Sequence, residues 1–179
     1  MMMMAISRFL RRFRRADDGN ATVEFVLVFP VSMVLFISAF EAGLMMTRHV
    51  MLERGLDMAV REVRLNTGAA PTHDQFKTMI CQGAGIIPNC MENLKLEMRP
   101  IDPRNWSNIP SVADCVNTDE PFQAPRNYQT GAPNQIMIVR ACSLFLPIFP
   151  GTGLGFQMPR QSGDFYALVS MSAFVMEPI

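Results

Sequence analysis

Three sets of side chains in this 179-residue sequence could do chemistry: a carboxylate, Glu24, at the mouth of an apolar run; four cysteines; and two histidines among scattered loop carboxylates. A carboxylate at the lip of a hydrocarbon layer is costly unless it is paired or sits among headgroups, so Glu24 asks for a cation. An even number of cysteines favours disulfides in an oxidising compartment. Cys81, Cys90, Cys115 and Cys142 permit three pairings. Cys81 with Cys90 is favoured because it closes a short Gly/Pro-rich loop, and Cys115 with Cys142 because it ties a long loop to a strand. Zinc is disfavoured, since no Cys-x-x-Cys occurs and His49 and His73 are not spaced beside the cysteines as ligands.

Catalysis finds little to use. The histidines fall in or near helical stretches without a paired serine, and Asp102, Asp114, Asp119, Glu120 and Asp164 are spread through loops, where solubility accounts for them. Gly151, Gly153 and Gly155 in GTGLG lack the lysine of a phosphate-binding loop and the full dinucleotide pattern, so they read as a plain loop. The expectation is a protein that is not an enzyme and needs no cofactor. Its formal net charge of zero argues against nucleic acid as a partner.

The element that must hold Glu24 is apolar on every face. Residues 25–40 read FVLVFPVSMVLFISAF without a charge, and residues 42–46 extend the run past Glu41. That makes about 20 residues, the length of a transmembrane helix. Pro30 removes one backbone donor from this helix and predicts a kink or local loosening. Arg8, Arg11, Arg12, Arg14 and Arg15 precede the run, opposed by only Asp17 and Asp18. The positive-inside rule therefore puts the amino terminus in the cytoplasm and everything after about Thr47 across the membrane.

An ordinary secretory signal closes its apolar run with a small-residue cleavage site, and none closes this one. The residues in front of the run are instead Asp18-Gly19-Asn20-Ala21-Thr22-Val23-Glu24-Phe25. This resembles the class III leader of type IV pilins: a short basic stretch, glycine at the last leader position, glutamate at the fifth mature position. The segment GNATVEFVLVFP is similar to the opening of TadE-like minor pseudopilins, with Phe25 following the glutamate. The resemblance implies a pilin-like component of Tad/Flp (type IVc) pilus assembly, anchored in a bacterial inner membrane and cut after Gly19 by a prepilin peptidase. It also implies that the new amino group of Asn20 meets Glu24 of a neighbouring subunit. Expected partners are the peptidase, other pilins or pseudopilins of the Tad system and the lipid bilayer. The competing expectation is an uncleaved, signal-anchored periplasmic binding or scaffold module that recognises its partner through residues 100–133.

Past the run, residues 45–65 keep helical spacing, with Val50, Leu52, Leu56, Ala59, Val60 and Val63 set against Arg54, Asp57, Arg61 and Glu62. Asn66, Thr67 and Gly68 supply a stop. A second helix is expected over residues 72–82, with Thr72 as its cap and Gln75 at the capping-box position. Residues 93–99, 135–146 and 165–176 read as strands. The alternation of Leu94, Leu96 and Met98 with charged neighbours predicts one solvated face and an antiparallel sheet laid on the long helix, an α+β domain. Trp106 is expected to anchor the long loop. Phe145, Leu146, Ile148, Phe149, Leu154 and Phe156 are unusually apolar for a connection and are expected to cover the sheet's own core, with contact to a partner or the membrane surface as the alternative. The layout is thus a leader (1–19), a span (20–46), a helix extension (47–68) and an exported disulfide-bonded domain (69–179).

Overall fold

A computed structural model of the chain describes residues 21–65, 71–105, 109–120 and 127–177. The basic leader, the Gly19–Asn20 bond, the stop at Asn66–Gly68 and Trp106 lie outside the described residues. The elements in chain order are α1 (Ala21–Leu65), α2 (His73–Ala84), α3 (Cys90–Asn93), β1 (Leu94–Pro100), β2 (Ile136–Phe145), α4 (Gly153–Gln157) and β3 (Tyr166–Val175). The architecture is α+β: one long amino-terminal helix followed by a small antiparallel sheet of order β1-β2-β3.

α1 is one continuous 45-residue helix with Pro30 inside it, and its two halves live in different surroundings. In the carboxyl-terminal half Leu52, Leu56, Ala59, Val60 and Val63 form a stripe at three- and four-residue spacing and are buried. They pack on Phe76, Ile80 and Ala84 of α2 and on the near face of the sheet. Gly55 sits where the helices cross: a Cβ there would lie 2.6 Å from the Ile80 carbonyl oxygen, so no larger residue allows this approach. In the amino-terminal half the apolar residues face outward, and none of the most apolar 18-residue window is buried.

α2 starts at a capping box. The Thr72 hydroxyl accepts from the Gln75 amide at 3.3 Å, and the Thr72 amide donates to Gln75 Oε1 at 2.9 Å, which satisfies two donors that a helix start leaves open.

The register sets Leu96 opposite Ala141 and Ala141 opposite Ser170, so Leu94, Leu96, Met98, Val139, Phe145 and Leu168 share the face that meets α1 and α2. The other face of β1 departs from the expected solvated one. Lys95 and Glu97 are buried there, because the chain from Pro110 to Cys115 folds across it. Arg140, directly opposite Glu97 in the register, donates from Nε to Glu97 Oε2 at 2.7 Å and from Nη1 to the Pro110 carbonyl at 2.7 Å. Asp114, expected to be a solubilising loop carboxylate, accepts from Lys95 Nζ at 2.9 Å, and its amide donates to Glu97 Oε1 at 2.8 Å. Covering this face leaves β2 buried along nearly its whole length.

Two disulfides complete the frame, Cys81–Cys90 tying α2 to α3 and Cys115–Cys142 tying the covering loop to β2. The outer edge of β1 is closed by main-chain bonds, Met98 N donating to Asn127 O at 3.1 Å and Gln129 N to Met98 O at 2.8 Å. Beside them the Tyr128 hydroxyl donates to Pro71 O at 2.8 Å, and burial pushes this phenol up to about 12.

Candidate functional site

The apolar half of α1 is the candidate site, since it presents a long hydrophobic surface that the rest of the described chain leaves bare. Val23, Val26, Leu27, Val31, Leu35 and Phe36 are all exposed. Phe25, also exposed, stacks on Phe29 one turn on, with ring centroids 4.8 Å apart. Glu24 lies in the first turn, exposed, where the positive end of the helix dipole favours a carboxylate. Of the leader motif, the structure therefore places Glu24 on the exposed first turn and Phe25 just after it, while Gly19 and Asn20 precede the described residues.

Inside the helix Ser32, Ser38 and Thr47 close on their own turns. Ser32 donates to Val28 O at 3.0 Å, Ser38 to Val34 O at 2.8 Å and Thr47 to Gly43 O at 2.8 Å. Hydroxyls bonded back this way leave no unpaired donor on the helix surface.

One polar residue of the run behaves differently. Glu41, which by sequence only interrupts the apolar stretch, is 1% exposed. Its carboxylate accepts from the amides of Ile148 (3.1 Å to Oε2) and Phe149 (3.3 Å), contributed by the turn after β2. One helical turn lower, Ser38 Oγ accepts from the Leu154 amide at 3.2 Å. About two turns higher, Arg48 donates from Nη1 to Leu146 O at 3.2 Å and to the Tyr166 hydroxyl at 3.0 Å, with its guanidinium 5.1 Å from the centre of the Phe145 ring. Three polar residues of α1 thus grip a single connection between β2 and β3.

The GTGLG stretch lies in that connection. It is not a plain loop: α4 forms there and lies against α1. Gly153 has φ +55°, and a Cβ at this position would run into Ser38 Oγ, so the glycine serves close approach of two backbones. The aromatic and aliphatic residues around it divide. Phe145 is buried with Tyr166 stacked on it, whereas Leu146, Ile148 and Phe156 are exposed and do not cover the sheet.

Sequence reasoning missed Glu41 and Ser38 as anchoring residues. The available signal was a carboxylate within an apolar run, which needs donors from somewhere else in the fold. No three His, Cys, Asp or Glu side chains converge as metal ligands among the described residues. All four cysteines are engaged in the disulfides.

Against known proteins, residues 19–61 match the family model described as TadE-like protein. The match opens on Gly19 and runs through the exposed half of α1 into the buried stripe, leaving the sheet outside it. No curated protein and no solved structure matches the chain. The TadE-like segment supports a part in the Tad pilus system among other pilus components, and that family is one of assembly proteins rather than enzymes. The helix that carries the segment is long and apolar enough to serve as a single-pass membrane anchor.

Proposed function

We propose that this chain is a TadE-like minor pseudopilin of a Tad (type IVc) pilus assembly system, made with a basic leader and cut between Gly19 and Asn20 by a prepilin peptidase. α1 then holds it in the bacterial inner membrane with the sheet domain on the periplasmic side. The observation that carries this reading is the family match over residues 19–61, which begins at the proposed cleavage glycine. The arginines before that glycine support a cytoplasmic amino terminus.

The physical sequence of events follows from the residues. Cutting after Gly19 removes the arginine-rich head and gives Asn20 a free amino group, a cation at the edge of the hydrocarbon. Glu24 of a neighbouring subunit offers the matching anion, and joining the two relieves the cost of holding either charge at an apolar boundary. The exposed apolar half of α1 supplies the rest of the contact, since helices in lipid associate by close van der Waals packing rather than by hydrophobic burial. The chain positions and packs; no residue in it is assigned a catalytic step.

Mass spectrometry of the mature amino terminus tests the reading. Co-produced with an active prepilin peptidase, the protein is expected to begin at Asn20, and a Glu24→Ala variant is expected to be cut normally yet fail to co-purify with its pseudopilin partners. An intact arginine-rich head beside a working peptidase would overturn the proposal and leave the uncleaved anchor.

A further inference from the structure

We propose that the connection between β2 and β3, residues 146–157, is a lipid-contacting lip that dips into the periplasmic leaflet of the bilayer alongside α1. This rests on reading α1 as the membrane span.

The levels along α1 set the depth. A helix rises about 1.5 Å per residue, so with Phe25 at the inner edge Ser38 stands about 20 Å above it, Glu41 about 24 Å and Arg48 about 35 Å. A hydrocarbon core is about 30 Å thick, which puts Arg48 among the outer headgroups and Glu41 and Ser38 beneath them. The connection touches these levels in turn. Leu146 O is held by Arg48, the Ile148 and Phe149 amides by Glu41, and the Leu154 amide by Ser38. It therefore runs down the helix toward the membrane interior before returning to β3. At the level where it departs, Arg48, a cation suited to the headgroup boundary, is bonded to the hydroxyl of the buried Tyr166.

Composition and bonding agree with that placement. No charged residue occurs between Arg140 and Arg160, although surface connections in water are ordinarily polar. Leu146, Ile148 and Phe156 point outward, Phe156 with 70% of its surface open. Gly153 of the connection lies against the backbone of Val34, whose side chain is itself exposed, so one medium suits both.

Irregular backbone survives at such depth only where its polar groups are satisfied within the protein. Here they largely are. Besides the three amides gripped by α1, the Phe149 carbonyl accepts from Thr152 N and the Thr152 carbonyl from Phe156 N, each at 3.4 Å. Arg160 reaches down from the return limb to donate to the Gly155 carbonyl at 3.0 Å and the Pro150 carbonyl at 3.4 Å. Glu41, otherwise a carboxylate inside hydrocarbon, receives its donors from the same connection.

The test uses the full chain reconstituted in phosphatidylcholine/phosphatidylglycerol vesicles, with or without lipid brominated on its acyl chains. The parent contains one tryptophan, Trp106, whose signal is subtracted. A Phe156→Trp reporter is expected to emit blue-shifted light and lose most of its added emission to brominated lipid, as a Leu27→Trp control within the span does. Water-like, unquenched emission from Phe156→Trp beside a quenched Leu27→Trp overturns the lip and spares the span. Unquenched emission from both overturns the span, and the lip with it. Ile148→Trp reads the same surface independently, and water-like emission from it also overturns the proposal.

Discussion

A buried carboxylate with two backbone donors holds its place only while both donors face it. Glu41 meets this condition through the amides of Ile148 and Phe149, more than a hundred residues away in the chain. Glu41→Leu keeps the bulk but strands those amides, at a cost of about 1–3 kcal/mol. In detergent-solubilised protein, amide exchange at Ile148 and Phe149 is expected to quicken by about 5- to 150-fold while the β2 amides keep their protection. Unchanged exchange at the two positions would mean that Glu41 does not hold the connection.

Within the sheet, the pairing of β1 with β2 depends on an ion pair that the covering loop keeps out of water. Arg140 donates to Glu97 across the register and to the carbonyl of Pro110. Arg140→Met leaves Glu97 buried with its main charge partner gone, which is expected to destabilise the domain by about 3–5 kcal/mol. Adding Glu97→Leu removes the stranded charge and should recover much of that loss, as measured by denaturant unfolding in detergent. A double variant no more stable than Arg140→Met alone would show that the pair matters through the loop it carries rather than through charge burial. The same loop explains why β1 departs from simple alternation. A strand's own pattern reports which side chains alternate, but it says nothing about which distant segment will later lie over the polar ones.

At the scale of the whole molecule, α1 is one continuous rod with a bare amino-terminal half and a packed carboxyl-terminal half, and the disulfides stiffen only the domain built on the packed half. Cys81–Cys90 spans 9 residues and Cys115–Cys142 spans 27. Loop-closure entropy makes the first worth about 3 kcal/mol and the second about 4. Replacing Cys115 and Cys142 by serine is thus expected to lower the thermal midpoint of the domain more than replacing Cys81 and Cys90. The reverse order would show that native-state packing around the short bridge outweighs the chain entropy of the long one. The longer bridge also clamps the loop that hides Glu97 and Arg140, so its loss acts on the sheet as well as on the unfolded chain.

The sequence by itself determined what rests on local periodicity and local chemistry. The uncharged run ahead of a heptad-like stripe specifies the long helix, Thr72 and Gln75 specify the start of α2, and the alternation and flanking Pro, Gly and Asn place each strand to within a residue. The disulfide pairs favoured for closing a short Gly/Pro-rich loop and for tying the long loop to a strand coincide with those in the structure. The proposed leader likewise rests on a local motif, with Gly19, Glu24 and the arginines within one short stretch. Only the tertiary structure decided the roles of Glu41, Ser38, Gly153, Asp114 and the far face of β1. Each depends on a contact between segments remote in sequence, where the partner's identity is set by how the elements stack and not by neighbours in the chain. A carboxylate within an apolar run announces that donors must come from somewhere, while only the folded chain brings the turn after β2 down onto α1 to provide them.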